Sequence, residues 1–256
     1  MRSGNWKLAF AAVCLTAAAF TAGCASSIPA APKEDRSPAD PWEPLNRSIY
    51  TFNRGFDSVT WKPLAKGYQA ITPEPVQNGI NNFSRNLLGP LYIVNNLLQG
   101  KFRRSLSETG RFLANSTWGI FGFVDVGSDL GMETYNEDFG QTFATWGIPA
   151  GPYVVIPILG PRTLRGAFAI PFNFASDPLF HAPDRTAKWT VYTIRAVDLR
   201  ARLFTAERLI EDSYDRYLAT REAFLQRRRF LIFDGDPPED EDFYEEFDEE
   251  FLDEEQ

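Results

Sequence analysis

Residues 40–59 read DPWEPLNRSIYTFNRGFDSV, and their spacing decides the fold class. Leu45, Ile49, Phe52, Phe56 and Val59 recur at steps of four, three, four and three, which aligns them on one face of a helix. Arg47, Asn53, Arg54 and Asp57 fall elsewhere on its circumference. Pro41 and Pro44 mark its start, because a proline is tolerated in a first turn, where its missing N–H has no partner to lose. Thr72-Pro73-Glu74-Pro75 repeats the grammar: a cap, then Val76, Ile80, Phe83 and Leu87 at helical spacing. Gly89-Pro90 ends that helix and opens another through Leu91, Val94 and Leu98, stopped by Gly100. Further helices are expected near 101–117, 162–170, 186–205 and 212–231. Alternating strand patterns are almost absent, the best being the short Tyr153–Ile156. The chain is expected to be all-α, and no internal repeat of fixed period is visible.

Residues 112–124 carry no charge, and neither do the longer residues 139–161. By length the second could cross a bilayer as a helix. Its prolines at 149, 152, 157 and 161 and glycines at 140, 147, 151 and 160 rule out a continuous one. Irregular backbone survives at membrane depth only when buried in protein or lining a cavity. The segment is therefore either a core loop or part of a wall around an internal path. Aromatic usage is heavy, with 22 Phe and 6 Trp. Tryptophan favours a membrane–water interface, although a large core also accounts for part of that usage.

The ends have different characters. Arg2 and Lys7 precede an apolar run over residues 8–20, followed by Thr21-Ala22-Gly23-Cys24. A basic start, an apolar middle and small residues before the cut describe a bacterial export signal over residues 1–23. A cysteine directly after the small residues looks like a lipobox, in which the thiol is diacylglycerylated and the new amine acylated. Thr21 stands where such boxes usually carry Leu, and the alternative is an ordinary secreted protein. Three acyl chains at Cys24 would anchor the protein firmly, since one is marginal and two suffice. Ala25 rather than Asp follows, which points to the outer membrane and its periplasmic face. Residues 24–39 read as a flexible tether, whose segment from Ala25 to Ala39 reaches roughly 50 Å when extended. Residues 40–233 form the body. Residues 234–256 hold fourteen acids and no base, and are expected to be disordered. The other reading is a short acidic docking helix carrying Phe243, Phe247 and Phe251.

Net charge is −8, but the tail dominates it. Without the tail and the signal, the mature body is mildly basic at +4. That suits a surface near anionic headgroups and is too weak for nucleic acid, which wants a dense basic stripe. Cys14 leaves with the signal, so the mature chain has neither a disulfide nor a thiol nucleophile. His181 is the only histidine; it cannot build a metal cluster, and a general base would need an activated nucleophile beside it. Its surroundings, Asp177-Pro178-Leu179-Phe180, read as a turn. No Gly-x-Ser-x-Gly elbow, Walker loop or dinucleotide fingerprint occurs. Asp125, Asp129, Glu133, Glu137 and Asp138 fit no calcium loop and read as a solvated loop rather than an acid–base pair. Arg227-Arg228-Arg229 ends the last expected helix, where complementing the dipole is preferred to phosphate recognition. Catalysis, a cofactor and a metal are not expected.

Many short motifs in order resemble the MlaA family, also called VacJ lipoproteins. They begin with Asp40-Pro41-Trp42-Glu43-Pro44-Leu45-Asn46-Arg47, Asn78-Gly79-Ile80-Asn81-Asn82-Phe83 and Asn95-Asn96-Leu97-Leu98-Gln99-Gly100. Arg111-Phe112-Leu113-Ala114-Asn115-Ser116-Thr117, Asp125-Val126 and Phe139-Gly140-Gln141-Thr142 follow. Trp146-Gly147-Ile148-Pro149-Ala150-Gly151-Pro152-Tyr153, Pro157, Gly160, Arg165, Tyr214 and Arg221-Glu222-Ala223-Phe224 complete the set. The resemblance spans about residues 40–233. It implies a ring-like bundle of amphipathic helices, partly embedded in the inner leaflet of the outer membrane, around an amphipathic channel. It implies phospholipid as cargo, taken from the outer leaflet and passed to a soluble periplasmic carrier, with a trimeric porin as neighbour and no catalytic residues.

With a channel implied, residues 139–161 become its wall or gate, and Gly147, Pro149, Gly151, Pro152 and Tyr153 its candidate residues. Pro149 stands where relatives are richer in glycine, which tells against free hinge motion. Both glycines could instead serve only turn geometry. Leu45, Ile49, Phe52 and Phe56 are the candidate lipid-facing residues. The competing functions are a scaffolding lipoprotein that docks on porins and moves no lipid, and a phospholipid-cleaving enzyme.

Overall fold

The computed structural model describes residues 39–238. Cys24 with its signal, nearly all of the tether, and the acidic tail from residue 239 lie outside the described residues. The body is helical, as the periodicity predicts. Helix α1 is Glu43–Val59, α2 Trp61–Ile71, α3 Glu74–Leu87, α4 Gly89–Leu98 and α5 Phe102–Thr117. The short α6 (Val126–Asp129) and α7 (Phe139–Thr145) follow, then strands β1 (Tyr153–Ile156) and β2 (Gly160–Thr163). Helix α8 is Leu164–Ser176, a 3-10 turn covers Pro178–His181, and α9 (Arg185–Arg202), α10 (Phe204–Glu211) and α11 (Arg216–Ile232) close the chain.

Several boundaries differ from the sequence expectation, each for a physical reason. Thr72 is not a cap: Pro73 takes that place and offers no side-chain hydrogen bond, while Thr72 ends α2. Helix α2 escapes the periodicity because Pro63 and Gly67 interrupt it and only Ala65 is buried. The expected helix over 186–205 is two helices that share Leu203 as a boundary residue. Residues 139–161 are a short helix and then an antiparallel hairpin, in which Tyr153 pairs with Thr163 and Ile156 with Gly160. Strand β2 is hidden from sequence because Gly160, Pro161 and Arg162 show no alternation.

The elements pack in a closed circuit. Helix α1 lies on α2, α2 on α9, and α9 on α3. Helix α3 meets α4 and α5, α4 meets α7, α7 meets α8, and α8 leads through the hairpin back to α1. The apolar core is small: Tyr153, Val155 and Tyr217, with Ile49, Tyr50, Leu218, Phe224 and Leu225 around them. It sits where α1, β1 and α11 converge.

Polarity is inverted relative to a water-soluble domain, whose buried positions are mostly apolar. Among the described residues, fifteen polar or charged side chains are buried against ten apolar ones. Leu, Ile, Phe and Trp side chains meanwhile stand exposed along nearly every helix. None of the described helices is long and apolar enough to cross a membrane.

Candidate functional site

Helix α1 explains how the ring and the hairpin are joined. Asn46 donates to the Tyr153 carbonyl at 3.0 Å and accepts from the Val155 N–H at 2.9 Å. Two turns on, Asn53 donates to the Ile156 carbonyl at 3.0 Å and accepts from the Ile158 N–H at 2.8 Å. An amide side chain offers a donor and an acceptor side by side, so each asparagine stands in for a neighbouring strand. Asn46 also donates to the buried Asp40 at 2.8 Å, and Tyr217 and Arg221 donate to the same carboxylate.

The inward face of α1 is therefore Asn46, Ile49, Asn53 and Phe56. Leu45 and Phe52, at 55% and 54% exposure, point outward. The four candidate lipid-facing residues thus divide. Ile49 packs on the core, and Phe56 is half-buried and stacks on Phe52 with ring centroids 6.3 Å apart. Asn53, read from sequence as lying off the working face, is a structural tie. So is Asp57, which receives two 2.8 Å hydrogen bonds from Arg200.

The candidate gate residues lie along one strip without sharing one lining. Asp138 caps α7, accepting from the Gln141 N–H at 2.9 Å and from Arg228 through two bonds of 2.6 Å. Burial alone would raise its carboxyl, but the Arg228 pair and the α7 amides hold it below the usual carboxylate range. Helix α7 ends on Gly147 at φ +82°, where the Gly147 and Ile148 amides donate back to the Ala144 and Phe143 carbonyls. This is a glycine-closed helix end. A Cβ at Gly147 would meet nothing within 4 Å, so only its backbone angle demands glycine. At Gly151, φ is +65° and a Cβ would also come within 3.0 Å of Leu164 Cβ. Residues 145–151 are exposed, Pro152 is half-buried, and Tyr153, at 1% exposure, belongs to the core. The exposed arc is tied at Trp146, which donates to the Leu98 carbonyl, and at Ala150, whose carbonyl accepts from the Arg165 amide.

The polar interior corrects the reading of residues 125–138 as a solvated loop. Asp129 and Glu133 are exposed, but Asp125, Glu137 and Asp138 are structural. Asp125 accepts from Arg111 at 2.7 and 2.8 Å, with Asn115 and Ser128 adding bonds. Burial opposes its ionisation, yet these donors hold its pKa down at about 2. Glu137 is buried among Gln99, Gln141 and Lys101. Arg229 lies in the last turn of α11, as the dipole reading expects, and donates to the Pro238 carbonyl, while Arg228 serves Asp138 at the start of α7. His181 ends the 3-10 turn, its ring nitrogen 2.7 Å from the Ala175 carbonyl oxygen.

Sequence reasoning missed the amides and carboxylates of this interior, because Asn, Gln and Asp at helical positions normally read as solvent-facing. Between α3, α4 and α5 lies a polar cavity of about 20 Å³, bounded in part by Arg85, Asn86, Tyr92, Glu108 and Asn136. Loop residues 118–124 lean on its rim. Phe123 stacks on Phe83, and Trp118 and Phe121 stand 75% exposed.

The model of the MlaA lipoprotein family matches residues 38–231. This chain belongs to the MlaA lipoprotein family. Among its relatives is the intermembrane phospholipid transport system lipoprotein MlaA of Escherichia coli, 34% identical over 84% of this chain and 85% of that protein. The protein of the same description from Haemophilus influenzae is 30% identical over 86% and 89%. An uncharacterized protein of Rickettsia prowazekii is 33% identical over 75% and 78%. A solved structure described as "Structural basis for maintenance of bacterial outer membrane lipid asymmetry" superposes with a TM-score of 0.67 and 30% identity. That match covers 77% of this chain and all of the other. The segments that carry the resemblance supply several of these ties: Asn46 to Asp40, Asn115 to Asp125, and Thr142, which donates to Asn95 at 2.6 Å and accepts from Gln99 at 3.1 Å.

Proposed function

We propose that this chain is an outer-membrane lipoprotein that removes mislocalised phospholipid from the outer leaflet and hands it to a soluble periplasmic carrier, preserving lipid asymmetry. The observation that carries this reading is the inverted polarity of a closed helical ring. Apolar side chains such as Leu45, Phe52, Trp118 and Phe121 stand exposed, and amides and ion pairs are buried between the elements. Such an exterior suits helices lying in one leaflet. A lipid headgroup pays heavily to cross hydrocarbon unless polar partners line its route, and buried amides and ion pairs are such partners. The exposed arc of residues 145–151, with Gly147, Pro149 and Gly151 between tied ends, is the movable part of the wall. Pro152 and Tyr153 are its fixed base.

The chain is organised as a signal over residues 1–23, an acylated Cys24, a tether over 24–39, the ring over 40–233 and an acidic tail over 234–256. A trimeric porin is the expected neighbour, on the strength of the family resemblance. The reading includes no catalytic step; direction comes from the partners.

Protein purified from membranes should carry intact phospholipid, detected by mass spectrometry. Deleting the gene should raise outer-leaflet phospholipid, and restoring it should reverse the rise. Unchanged asymmetry together with lipid-free protein would reduce the chain to a scaffold, and bound cleavage products would favour an enzyme. The mature N-terminus should be acylated at Cys24; an unacylated start elsewhere removes the anchor from the proposal.

A further inference from the structure

The cavity between α3, α4 and α5 holds polar groups that the fold leaves unused. Arg85, in the last turn of α3, lines it and makes neither an ion pair nor a hydrogen bond among the described residues. A cation there complements the helix dipole, but that does not require a guanidinium turned into a cavity. Across from it, Glu108 of α5 is 4% exposed. One carboxylate oxygen accepts from the Tyr135 amide, and the other has no partner among the described residues. Burial pushes the Glu108 carboxyl up, and the Tyr135 amide, Arg111 and Arg85 each partly offset that rise. The nearby Arg111 and Asp125 neutralise each other. Neutral groups complete the lining. The Asn86 carbonyl oxygen is buried without a partner. The Tyr92 hydroxyl and the side chains of Thr134 and Asn136 likewise have none among the described residues.

Arg85 and Glu108, one positive and one negative group with no ion-pair partner among the described residues, share a lining with neutral polar groups and match a ligand carrying both charges. We propose that this cavity is a headgroup site for a zwitterionic phosphodiester with a primary ammonium, its phosphate at Arg85 and its ammonium at Glu108; this rests on the lipid-transport reading. A primary ammonium donates to the free Glu108 oxygen and supplies the counter-charge that burial withholds. A quaternary ammonium has no N–H to give. An anionic headgroup leaves Glu108 uncompensated, which is costly for a buried carboxylate.

The cavity's present 20 Å³ accommodates about one water molecule, so a headgroup enters with a wall displaced. In this proposal the segment that gives is the loop over residues 118–124, which lies beside the cavity rather than in its lining. Asn82 and Asn86 reach its Phe123 and Phe121 carbonyls at only 3.4 Å, the weak end of hydrogen bonding.

The test uses the full mature chain in detergent, titrated with dihexanoyl phosphatidylethanolamine, phosphatidylglycerol and phosphatidylcholine, and with inorganic phosphate. Phosphatidylethanolamine should bind about tenfold more tightly than the other two lipids, as one charge-assisted hydrogen bond allows. Glu108→Gln keeps an acceptor for the Tyr135 amide and should erase that preference. Arg85→Gln should weaken all three lipids about tenfold, while Arg85→Lys should retain the order of preference. Equal affinity of the unaltered protein for phosphatidylethanolamine and phosphatidylglycerol overturns the proposal and leaves the transport reading standing. So does inorganic phosphate binding as tightly as the lipid, which would mark a free-phosphate site. No binding of any lipid overturns both.

Discussion

Two uncharged stretches, residues 112–124 and 139–161, look alike in sequence and end up opposite in structure. The first finishes α5 and then forms a loop whose Trp118, Ile120 and Phe121 side chains stand in the open. Ile120 and Phe121 adopt φ +52° and +57°, unusual for side chains of their size. The second folds into α7 and a hairpin whose Tyr153 and Val155 are among the most buried side chains. Each stretch abuts an Asp–Arg pair, Asp125–Arg111 after the first and Asp138–Arg228 before the second. What separates them is backbone partnership. Asn46 and Asn53 each bind the hairpin edge through a donor and an acceptor, whereas Asn82 and Asn86 reach the loop's Phe123 and Phe121 carbonyls only at 3.4 Å. Lack of charge permits either a membrane-facing or a core position; the available hydrogen-bond partners choose.

The largest expected effect tests that partnership. Asn46→Ala strands two strand backbone groups and removes one of the three donors to Asp40, and should cost about 3–5 kcal/mol in urea or thermal unfolding. A loss under 1 kcal/mol would mean the hairpin holds itself. Gly151→Val combines left-handed strain with a clash on Leu164 and should cost about 3 kcal/mol, against about 2 for Gly147→Val, where only the backbone objects. Outer-leaflet phospholipid measured beside protein abundance sharpens this. A gate changes transfer at near-normal Gly147→Val level, whereas a mere turn makes asymmetry follow abundance.

Acid should loosen the loop side. The Asp125 pKa is depressed in the folded protein from its ordinary 3.8 to about 2, so its contribution is fully present above pH 4 and disappears as pH falls toward 2. It amounts to about 2 kcal/mol, and Asp125→Asn should flatten stability across that window. An unchanged acid limb would place the acid sensitivity elsewhere. For Phe121→Ser we expect little change in unfolding but a membrane-partition free energy weaker by about 2 kcal/mol; unaltered vesicle binding would take the loop tip out of the bilayer. The smallest effect separates two neighbours on α1. Asn53→Asp loses one donor, worth about 1 kcal/mol, while Phe52→Asp should leave unfolding nearly unchanged in detergent and reduce membrane association. The reverse outcome would exchange the two faces.

Helix existence was legible because apolar steps of three and four survive whichever side faces inward. Residues 43–59 and 74–87, the break at Gly89-Pro90 and the strand Tyr153–Ile156 all follow from local patterns. The face was not legible: on α1 the apolar stripe and the buried face are about one residue apart, because the interior receives amides and the exterior receives Leu45 and Phe52. The cavity charges were hidden for the same reason, since Arg85 and Glu108 on helices read as solvated.

The sequence by itself determined that the chain is helical, where its turns must break, and that residues 139–161 are free of charge; these depend on spacing and on the backbone limits of proline and glycine. Only the tertiary structure decided which polar side chains lie inside, that Asn46 and Asn53 act as substitute strand edges, and that Arg85 and Glu108 line one cavity. Those outcomes rest on pairings across the closed ring between residues as far apart as Asp40 and Arg221, a distance along the chain that no local pattern encodes.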